Sequence, residues 1–261
     1  MRALDIAATG MAAQNMRVEV ISHNLANMNT TAYSARRAEF SDLHYQQVER
    51  PGTINSADGT VLPAGVQLGL GVRAAAVSVQ VAQGAVTETG GSLDLAIEGQ
   101  GYLEVTLPSG DAAYTRDGAL KRNGDGQIVT SDGYPVVPDI TIPEDARQIT
   151  INADGEVYAY FDGQTQAQLL GQFELTSFSN EKGLEALGSN LYKETEASGA
   201  ANTGGAGEDG RGTFRQGYLE NSSVDAVHEI TGLIEAQRGY ELNAKVITAA
   251  DQMLAATVQI R

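Results

Sequence analysis

Three histidines, His23, His44 and His228, are the first residues to consider for chemistry. Imidazole is the usual general base near neutral pH. A Ser-His-Asp arrangement would need one of them beside a nucleophile in a pocket. Two of the three fall on or beside helical patterns at the chain ends, away from the β-rich middle. We therefore expect none of them to be catalytic.

Paired carboxylates are a second route to chemistry, because a glycosidase uses two of them as acid and nucleophile or base. Glu98, Glu104, Asp111 and Asp117 are candidates in the middle of the chain. With 33 acidic residues in 261, however, such neighbours arise by chance. Solvated charges on turns and strand edges explain them, and the sequence predicts a protein that is not an enzyme, with an extracytoplasmic glycan-acting protein kept only as a minor alternative.

Residues 121–132 resemble a calcium loop, with Asn123, Asp125 and Gly126 at the third, fifth and sixth positions. Lys121 places a cation at the first ligand position, and Asp132 stands where the loop carries a bidentate Glu. A hairpin turn explains the same residues without an ion. We expect no metal, and a calcium-binding β-domain is kept only as a minor alternative.

Two further absences narrow the possible sites. Gly99 and Gly101 begin a glycine pattern whose third glycine is replaced by Glu104, so a dinucleotide loop is not predicted. The chain has no cysteine, which excludes disulfides and cysteine-ligated metals. We expect no cofactor.

The charge is distributed unevenly along the chain. Of 17 basic and 33 acidic residues, residues 51–220 hold nine and 23, while both ends are nearly neutral. An acidic surface repels nucleic acid and anionic lipid, so neither is an expected partner. The near-neutral ends can pack side by side with little like-charge repulsion. No apolar run is long enough for a membrane span or a cleaved signal peptide, so we expect neither.

Two segments have apolar residues at seven-residue spacing, and these predicted helices are the elements that would position any functional side chain. The first runs from about Leu4 to Met28 and ends at asparagines and threonines that compete for backbone hydrogen bonds. The second follows N-cap candidates Asn221, Ser222 and Ser223 and extends for about 35 residues. Its companion row contains the polar residues Gln237 and Asp251.

Each of these helices alone would expose an apolar stripe. We expect the two to pair as a coiled-coil-like domain, with further copies of the chain covering the rest. Packing of both helices on the β-rich part is the alternative. The predicted self-assembly interface consists of Leu4, Met11, Val18, Leu25, Leu233, Tyr240, Ile247 and Leu254.

Between the helices the pattern predicts antiparallel hairpins, because short alternating runs are separated by turn sequences such as Asn-Gly-Asp-Gly and Asp-Gly. Residues 46–70 and 197–213 are rich in Gly, Pro and small polar residues, which predicts an extended connector and a flexible loop. The expected fold class is α+β. We expect a terminal helical domain (1–35 with 221–261), a connector (36–75) and a β-rich outer domain (76–220).

The end of the first helix carries a specific signature. Residues 22–33, Ser-His-Asn-Leu-Ala-Asn-Met-Asn-Thr-Thr-Ala-Tyr, resemble the motif of the bacterial flagellar axial proteins of rod and hook. Residues 1–10, 216–225 and 235–241 resemble the distal-rod members of that family in particular. Ala32 and Gly239 depart from the pattern, which more often has glycine and alanine there. The signature residues are Ser22, Asn24, Ala26, Asn27, Thr31 and Tyr33.

The resemblance implies a structural subunit that polymerises into a helical, hollow shaft spanning the periplasm. It implies export by the flagellar type III apparatus without cleavage. Implied partners are further copies, proximal-rod proteins, hook protein and the P-ring and L-ring proteins. A proximal-rod or hook protein is the nearest alternative. The amides of Asn24 and Asn27 are expected to bond to the backbone of a neighbouring subunit, with helix capping as the alternative.

Overall fold

The computed structural model describes residues 2–50, 64–162 and 166–259, with the last three as backbone only. The predicted α+β class is confirmed, because the chain has a long helix near each end of the sequence and antiparallel strands between them. The chain divides into two compact units. Unit 1 draws on Met1–Ala26, Arg36–Ser78 and Asp225–Arg261, and unit 2 on Asn27–Ala35 and Val79–Val224.

Unit 1 contains both helices and two strand pairs. The long helix predicted at each end is present, with bounds that differ by a few residues from the expected ones. Strand β1 pairs with β4, and β2 pairs antiparallel with β3. The elements are α1 (Arg2–Ala26), β1 (Arg36–Asp42), β2 (Tyr45–Glu49), β3 (Val66–Gly69), β4 (Val72–Val79) and α2 (Ala226–Gln259).

The segment 46–70, expected to be neither helix nor strand, differs from that expectation where it is described. Its two ends form the β2–β3 pair, with Tyr45 opposite Gly69 and Gln47 opposite Gln67. The run Tyr-Gln-Gln-Val-Glu shows no strict alternation and all five of its residues are exposed, so it carries no core pattern for the sequence to reveal. Residues 51–63 of this segment lie outside the described part of the chain.

The N-cap of α2 is Asp225, which differs from the prediction. The Asp225 Oδ1 atom accepts the backbone N–H groups of Val227 at 2.9 Å and His228 at 3.2 Å. A carboxylate there satisfies two otherwise unpaired amides and complements the helix dipole. The predicted caps Asn221, Ser222 and Ser223 belong instead to unit 2.

Unit 2 is built from short strands and one 3₁₀ turn, Glu181–Gly183. Its largest sheet has the order β15-β16-β8-β7, and a second has the order β11-β12-β13. Two-stranded pairs are β9 with β10, β14 with β17, β6 with β18 and β5 with β19. The strands are β5 (Val86–Glu88), β6 (Leu95–Glu98), β7 (Leu103–Thr106), β8 (Ala112–Thr115), β9 (Lys121–Arg122), β10 (Ile128–Val129), β11 (Ala146–Ile151), β12 (Glu156–Phe161), β13 (Gln168–Gln172), β14 (Leu175–Ser177), β15 (Glu185–Gly188), β16 (Leu191–Lys193), β17 (Asn202–Gly204), β18 (Thr213–Gln216) and β19 (Tyr218–Glu220).

One hydrophobic core holds unit 2 together. Leu95, Ile97, Leu103, Val105 and Phe173 are completely buried in it. Burial of such side chains contributes roughly 1.5–3 kcal/mol each relative to exposure. A smaller cluster packs Tyr102 and Tyr114 edge-on to Phe178, with ring centroids 5.8 and 4.9 Å apart.

The hairpin predicted around Asn123 is confirmed by the pairing of β9 with β10. The Asn123 Oδ1 atom accepts the backbone N–H groups of Asp125 and Gln127 at 3.0 and 2.9 Å. Gly126 has a φ of +84°, which the turn requires. The oxygen that a calcium loop would direct at the ion is thus engaged by the turn itself.

The flexible loop expected at residues 197–213 is instead an ordered part of unit 2. It contains β17, and Ser198, Ala206 and Arg211 are buried. The Arg211 Nη2 atom donates to Asn202 Oδ1 at 3.1 Å. A composition rich in glycine suggested flexibility, but here the glycines let the backbone close around a buried arginine. A Cβ atom on Gly204 would lie 2.6 Å from Arg211 Nη1.

Candidate assembly surfaces

Within unit 1, α1 and α2 lie antiparallel and meet through small and polar residues. Gly10 faces Asn243, Gln14 faces Gly239, Arg17 faces Glu235, Ile21 faces Gly232, and Asn24 faces Glu229. A Cβ atom on Gly239 would lie 3.1 Å from Gln14 Cδ, and one on Gly232 would lie 3.3 Å from Ile21 Cδ1. The glycines therefore permit a close approach of the two helices. We call this set of residues the contact row.

The predicted apolar interface lies one position along from the contact row on both helices. Met11, Val18 and Leu25 follow Gly10, Arg17 and Asn24, and all three are half-buried. On α2, Leu233 and Tyr240 follow Gly232 and Gly239. Leu4, Leu233, Ile247 and Leu254 are half-buried, whereas Tyr240 is exposed.

A further set of apolar residues on α2 is exposed. Val227, Ile234 and Leu242 follow one another at spacings of seven and eight residues, about two turns each, which places these three along one side of the helix. Val227 is 75% exposed, Leu242 62% and Met253 60%. We call this set the outer stripe. It comprises Val227, Ile230, Ile234, Leu242, Val246 and Met253.

The two strand pairs of unit 1, which we call the ribbon of unit 1, likewise carry large apolar side chains that are exposed to solvent. A two-stranded ribbon is marginal in water unless it packs on something. Large side chains on strands β1 to β4 and the turn before β4 are exposed. They are Phe40, Tyr45, Val48, Val66, Leu68, Leu70 and Val77.

The signature residues divide between the two units. In unit 1, Asn24 is 1% exposed, and its Nδ2 atom donates to Arg36 O at 2.8 Å and to Glu229 Oε1 at 2.9 Å. Its Oδ1 atom accepts Arg36 N–H at 2.9 Å. This amide therefore bonds to its own chain, unlike the expected bond to a neighbouring subunit. Ser22 and Ala26 are exposed.

In unit 2 lie the remaining signature residues, Asn27, Thr31 and Tyr33. The Asn27 Oδ1 atom accepts the hydroxyl of Thr30 at 3.1 Å, and the Thr31 carbonyl accepts Asn190 Nδ2 at 3.0 Å. Tyr33 is buried, and its carbonyl accepts Ser223 N–H at 2.9 Å. The second half of the signature is thus part of unit 2 and bonds to Asn190 and Ser223 within that unit.

A buried ion pair and a small cavity lie close together in unit 2. The Arg116 guanidinium contacts Glu220 Oε2 at 2.8 Å and donates to Gly101 O at 2.9 Å. Arg116 also lines a cavity of about 190 Å³ together with Tyr102 and Glu181. Burial, reinforced by the charge of Glu181, raises the pKa of Tyr102 far above its ordinary value. The phenol stays protonated and donates to Glu181 Oε2 at 3.1 Å.

The side chains first considered for chemistry do not converge on this cavity. His23, His44 and His228 are all exposed. Glu98 and Asp111 are exposed too, and Asp111 pairs with Lys193 at 3.4 Å. None of the four candidate carboxylates is among the described residues that line the cavity.

The other two carboxylates are partly buried. Burial raises the pKa of Glu104, and the nearby charge of Glu174 raises it further. Burial also raises the pKa of Asp117, against the opposing effect of the hydrogen bond from Ala119 N–H. Both shifts come mainly from desolvation, which partial burial on a strand or turn produces without a catalytic arrangement.

Across 2–50, 64–162 and 166–259, no group of three or more His, Asp or Glu side chains is arranged to hold a metal ion. Of the helices described, none combines the length and apolarity needed to cross a membrane.

Three family profiles match successive parts of the chain. The profile of the flagella basal body rod protein matches residues 4–33. That of the flagellar hook protein FlgE/F/G D1 domain matches residues 96–159. That of the flagellar basal body rod FlgEFG protein C-terminal region matches residues 215–260. The first and third of these cover α1 and α2, and the second lies in unit 2.

Curated relatives are similar over the whole length. The flagellar basal-body rod protein FlgG of Caulobacter vibrioides is 56% identical, with both chains fully covered. The FlgG of Agrobacterium fabrum is 49% identical over 97% of each chain. The FlgG of Bacillus subtilis is 35% identical over 100% of this chain and 99% of its own. The chain therefore belongs to the FlgG family of flagellar basal-body rod proteins.

Proposed function

We propose that this chain is a structural subunit of the distal rod of the bacterial flagellar basal body. It polymerises into a helical, hollow shaft that carries torque to the hook. The observation that supports this most directly is the outer stripe of α2, taken with the full-length similarity to FlgG proteins. Exposure of six large apolar side chains on one helix is energetically unfavourable in water, so this surface suits contact with another molecule.

The occupant we propose for that surface is a second copy of the chain. Both ends of the sequence are nearly neutral, so their helices can pack side by side in a tube without strong repulsion. The excess of acidic over basic residues lies in residues 51–220, which would form the outer layer of the tube. In the assembled rod we propose that α1 and α2 supercoil as coiled-coil partners, with Leu4, Met11, Val18, Leu25, Leu233, Tyr240, Ile247 and Leu254 contributing to the interface.

The exposed ribbon of unit 1 suggests a second contact between copies. Residues 36–75 form the rod-type segment of the proposed domain plan, between the terminal helical domain (1–35 with 221–261) and the outer domain (76–220). Its apolar side chains would be covered only after assembly. If neighbouring subunits covered both faces of this segment, each subunit would be held at a second contact. The shaft would then resist bending, which its function under torque requires.

The proposed setting is the part of the basal body that spans the periplasm. Proximal-rod proteins would lie below the polymer, hook protein above it, and the P-ring and L-ring proteins around it. The flagellar type III apparatus would export the chain without cleavage. Torque would pass through many repeated packing contacts that are individually weak. The proposed role is mechanical, and no step of it calls on catalysis or a cofactor.

Substitution on the outer stripe tests the proposal. We expect Leu242→Asp to abolish rod assembly in cells that lack the native chain, because a buried carboxylate would be unpaired at the interface. Gln237→Asp is the matched control, since it places the same charge at an exposed polar position about 140° around the same helix from Leu242. Basal bodies counted by electron microscopy and the exported chain measured by immunoblot are the two readouts. Normal rods from the Leu242→Asp chain would contradict the proposal.

A further inference from the structure

The side-chain amide of Asn24 joins three parts of unit 1 that are distant in sequence. Asn24 lies in the last turn of α1, Arg36 begins β1, and Glu229 lies in the first turn of α2. The amide both donates to Arg36 O and accepts from Arg36 N–H, at 2.8 and 2.9 Å. It therefore pairs with Arg36 as a neighbouring strand would, and it does so with only 1% of the residue exposed.

The second donated bond of this amide reaches across the chain. Asn24 Nδ2 lies 2.9 Å from Glu229 Oε1, and the two residues are 205 positions apart. A hydrogen bond to a carboxylate is about twice as strong as one between neutral groups. The position of Glu229 is itself defined, because its N–H donates to the Asp225 carbonyl at 3.0 Å and Asp225 caps the helix.

The chemistry at position 24 calls for a short primary amide. An aspartate there could still accept Arg36 N–H, but it has no donor for the Arg36 carbonyl or the Glu229 carboxylate. Its charge would also face that of Glu229 at hydrogen-bond distance. Glutamine offers the same groups on a longer stem. No other side chain both donates two bonds and accepts one in so small a volume.

We propose that Asn24 is a positioning residue that specifies which helix ends may pair. All three hydrogen bonds of this amide form together only when the start of β1 lies beside α1 and Glu229 lies within reach of Asn24. The Asn24–Glu229 bond thereby selects the register of α1 against α2. The apolar rows beside it repeat every seven residues, so they alone do not exclude a slip of two helical turns. The inference rests on the proposed function only for its assembly readout.

A double-mutant cycle tests the selection directly. The variants are Asn24→Asp, Glu229→Gln and the two combined, each in the full chain in cells lacking the native one. We expect Asn24→Asp to lower the number of complete basal bodies by about tenfold or more, in line with the loss of a charged hydrogen bond inside a protein. Glu229→Gln alone should cost less, because its amide oxygen still accepts from Asn24.

The combined variant gives the distinguishing result. The glutamine introduced at position 229 can donate its amide N–H to the aspartate introduced at position 24. A hydrogen bond then replaces a repulsion, while the Arg36 carbonyl remains unpaired. We therefore expect several times more basal bodies from Asn24→Asp with Glu229→Gln than from Asn24→Asp alone. A purely structural defect at position 24 would not be relieved by a second change on the other helix.

Asn15→Asp provides the matched control, since Asn15 is exposed on the same helix. If the unchanged chain and Asn15→Asp form no rods, the proposed function fails. If they form rods and Asn24→Asp does so equally well, the role of Asn24 is refuted while the function stands. A combined variant no better than Asn24→Asp also refutes that role.

Discussion

Ala32, in the segment after α1, has a backbone conformation that is unfavourable for its residue type. Its φ is +52°, a left-handed conformation that costs L-amino acids roughly 1–2 kcal/mol. The residue is nevertheless 5% exposed, and its N–H donates to Glu220 O at 2.8 Å. The family pattern more often has glycine here, and the backbone conformation supplies the physical reason. The sequence revealed the departure but not the sign of φ.

Ala32→Gly is therefore expected to stabilise unit 2. The gain from relief of the left-handed conformation exceeds the entropy that glycine adds to the unfolded chain, leaving about 0.5–1 kcal/mol. The urea midpoint of the full-length chain, followed by tyrosine fluorescence, measures it.

Ala35→Gly is the comparison for that experiment. Ala35 is equally buried and does not have a positive φ, so glycine there should lower the midpoint. The account of Ala32 is wrong if both substitutions shift the midpoint in the same direction.

At the scale of elements, the sequence predicted what the apolar spacing could reveal. Both terminal helices and the hairpin turns at Asn123 and Gly155 follow from seven-residue and Asp-Gly patterns. The contact row could not be predicted in the same way, because glycines, Gln14 and Asn243 carry no hydrophobic signal. The ribbon β2–β3 was missed for a related reason, since strands exposed on both faces show no alternation.

The buried ion pair is the element-scale feature that sequence reasoning missed completely. Arg116 follows β8, and Glu220 ends β19 and also accepts Gly84 N–H at 3.0 Å. No local pattern links two residues 104 positions apart. Their side chains are only 10% and 5% exposed, so neither can turn to water when the other is removed.

Arg116→Met should consequently destabilise unit 2 by about 3–5 kcal/mol, because it leaves the Glu220 carboxylate buried and unpaired. Chemical denaturation of the full-length chain measures the loss. Arg147→Met removes an ion pair of similar length whose partners are 79% and 83% exposed. That control should change the free energy of unfolding by less than about 0.5 kcal/mol. Equal losses from the two substitutions would show that burial does not control the strength of the Arg116 pair.

At the scale of the whole molecule, the two units differ in what holds them together. Unit 2 buries large side chains such as Leu95, Leu103 and Phe173 completely. Among the described side chains of α1, the buried ones are Ala7, Ala13, Ile21 and Asn24. Those of α2 are Ala236 and Ala250. Small side chains remove little apolar area from water, so the helix pair gains much less from its own packing than unit 2 does.

This difference predicts that the helices of a free chain are largely unfolded and become ordered on assembly. An ordering cost paid only at the growing end would suppress polymerisation elsewhere. Hydrogen exchange on dilute full-length chain should show fast exchange across residues 4–28 and 226–256 and slow exchange at the core strands β6 and β7. In assembled rods, the same helical amides should become protected as the outer stripe is covered. Strong protection across residues 4–28 in the dilute chain would contradict the prediction, because the contact row would then suffice to hold the helices without a second copy.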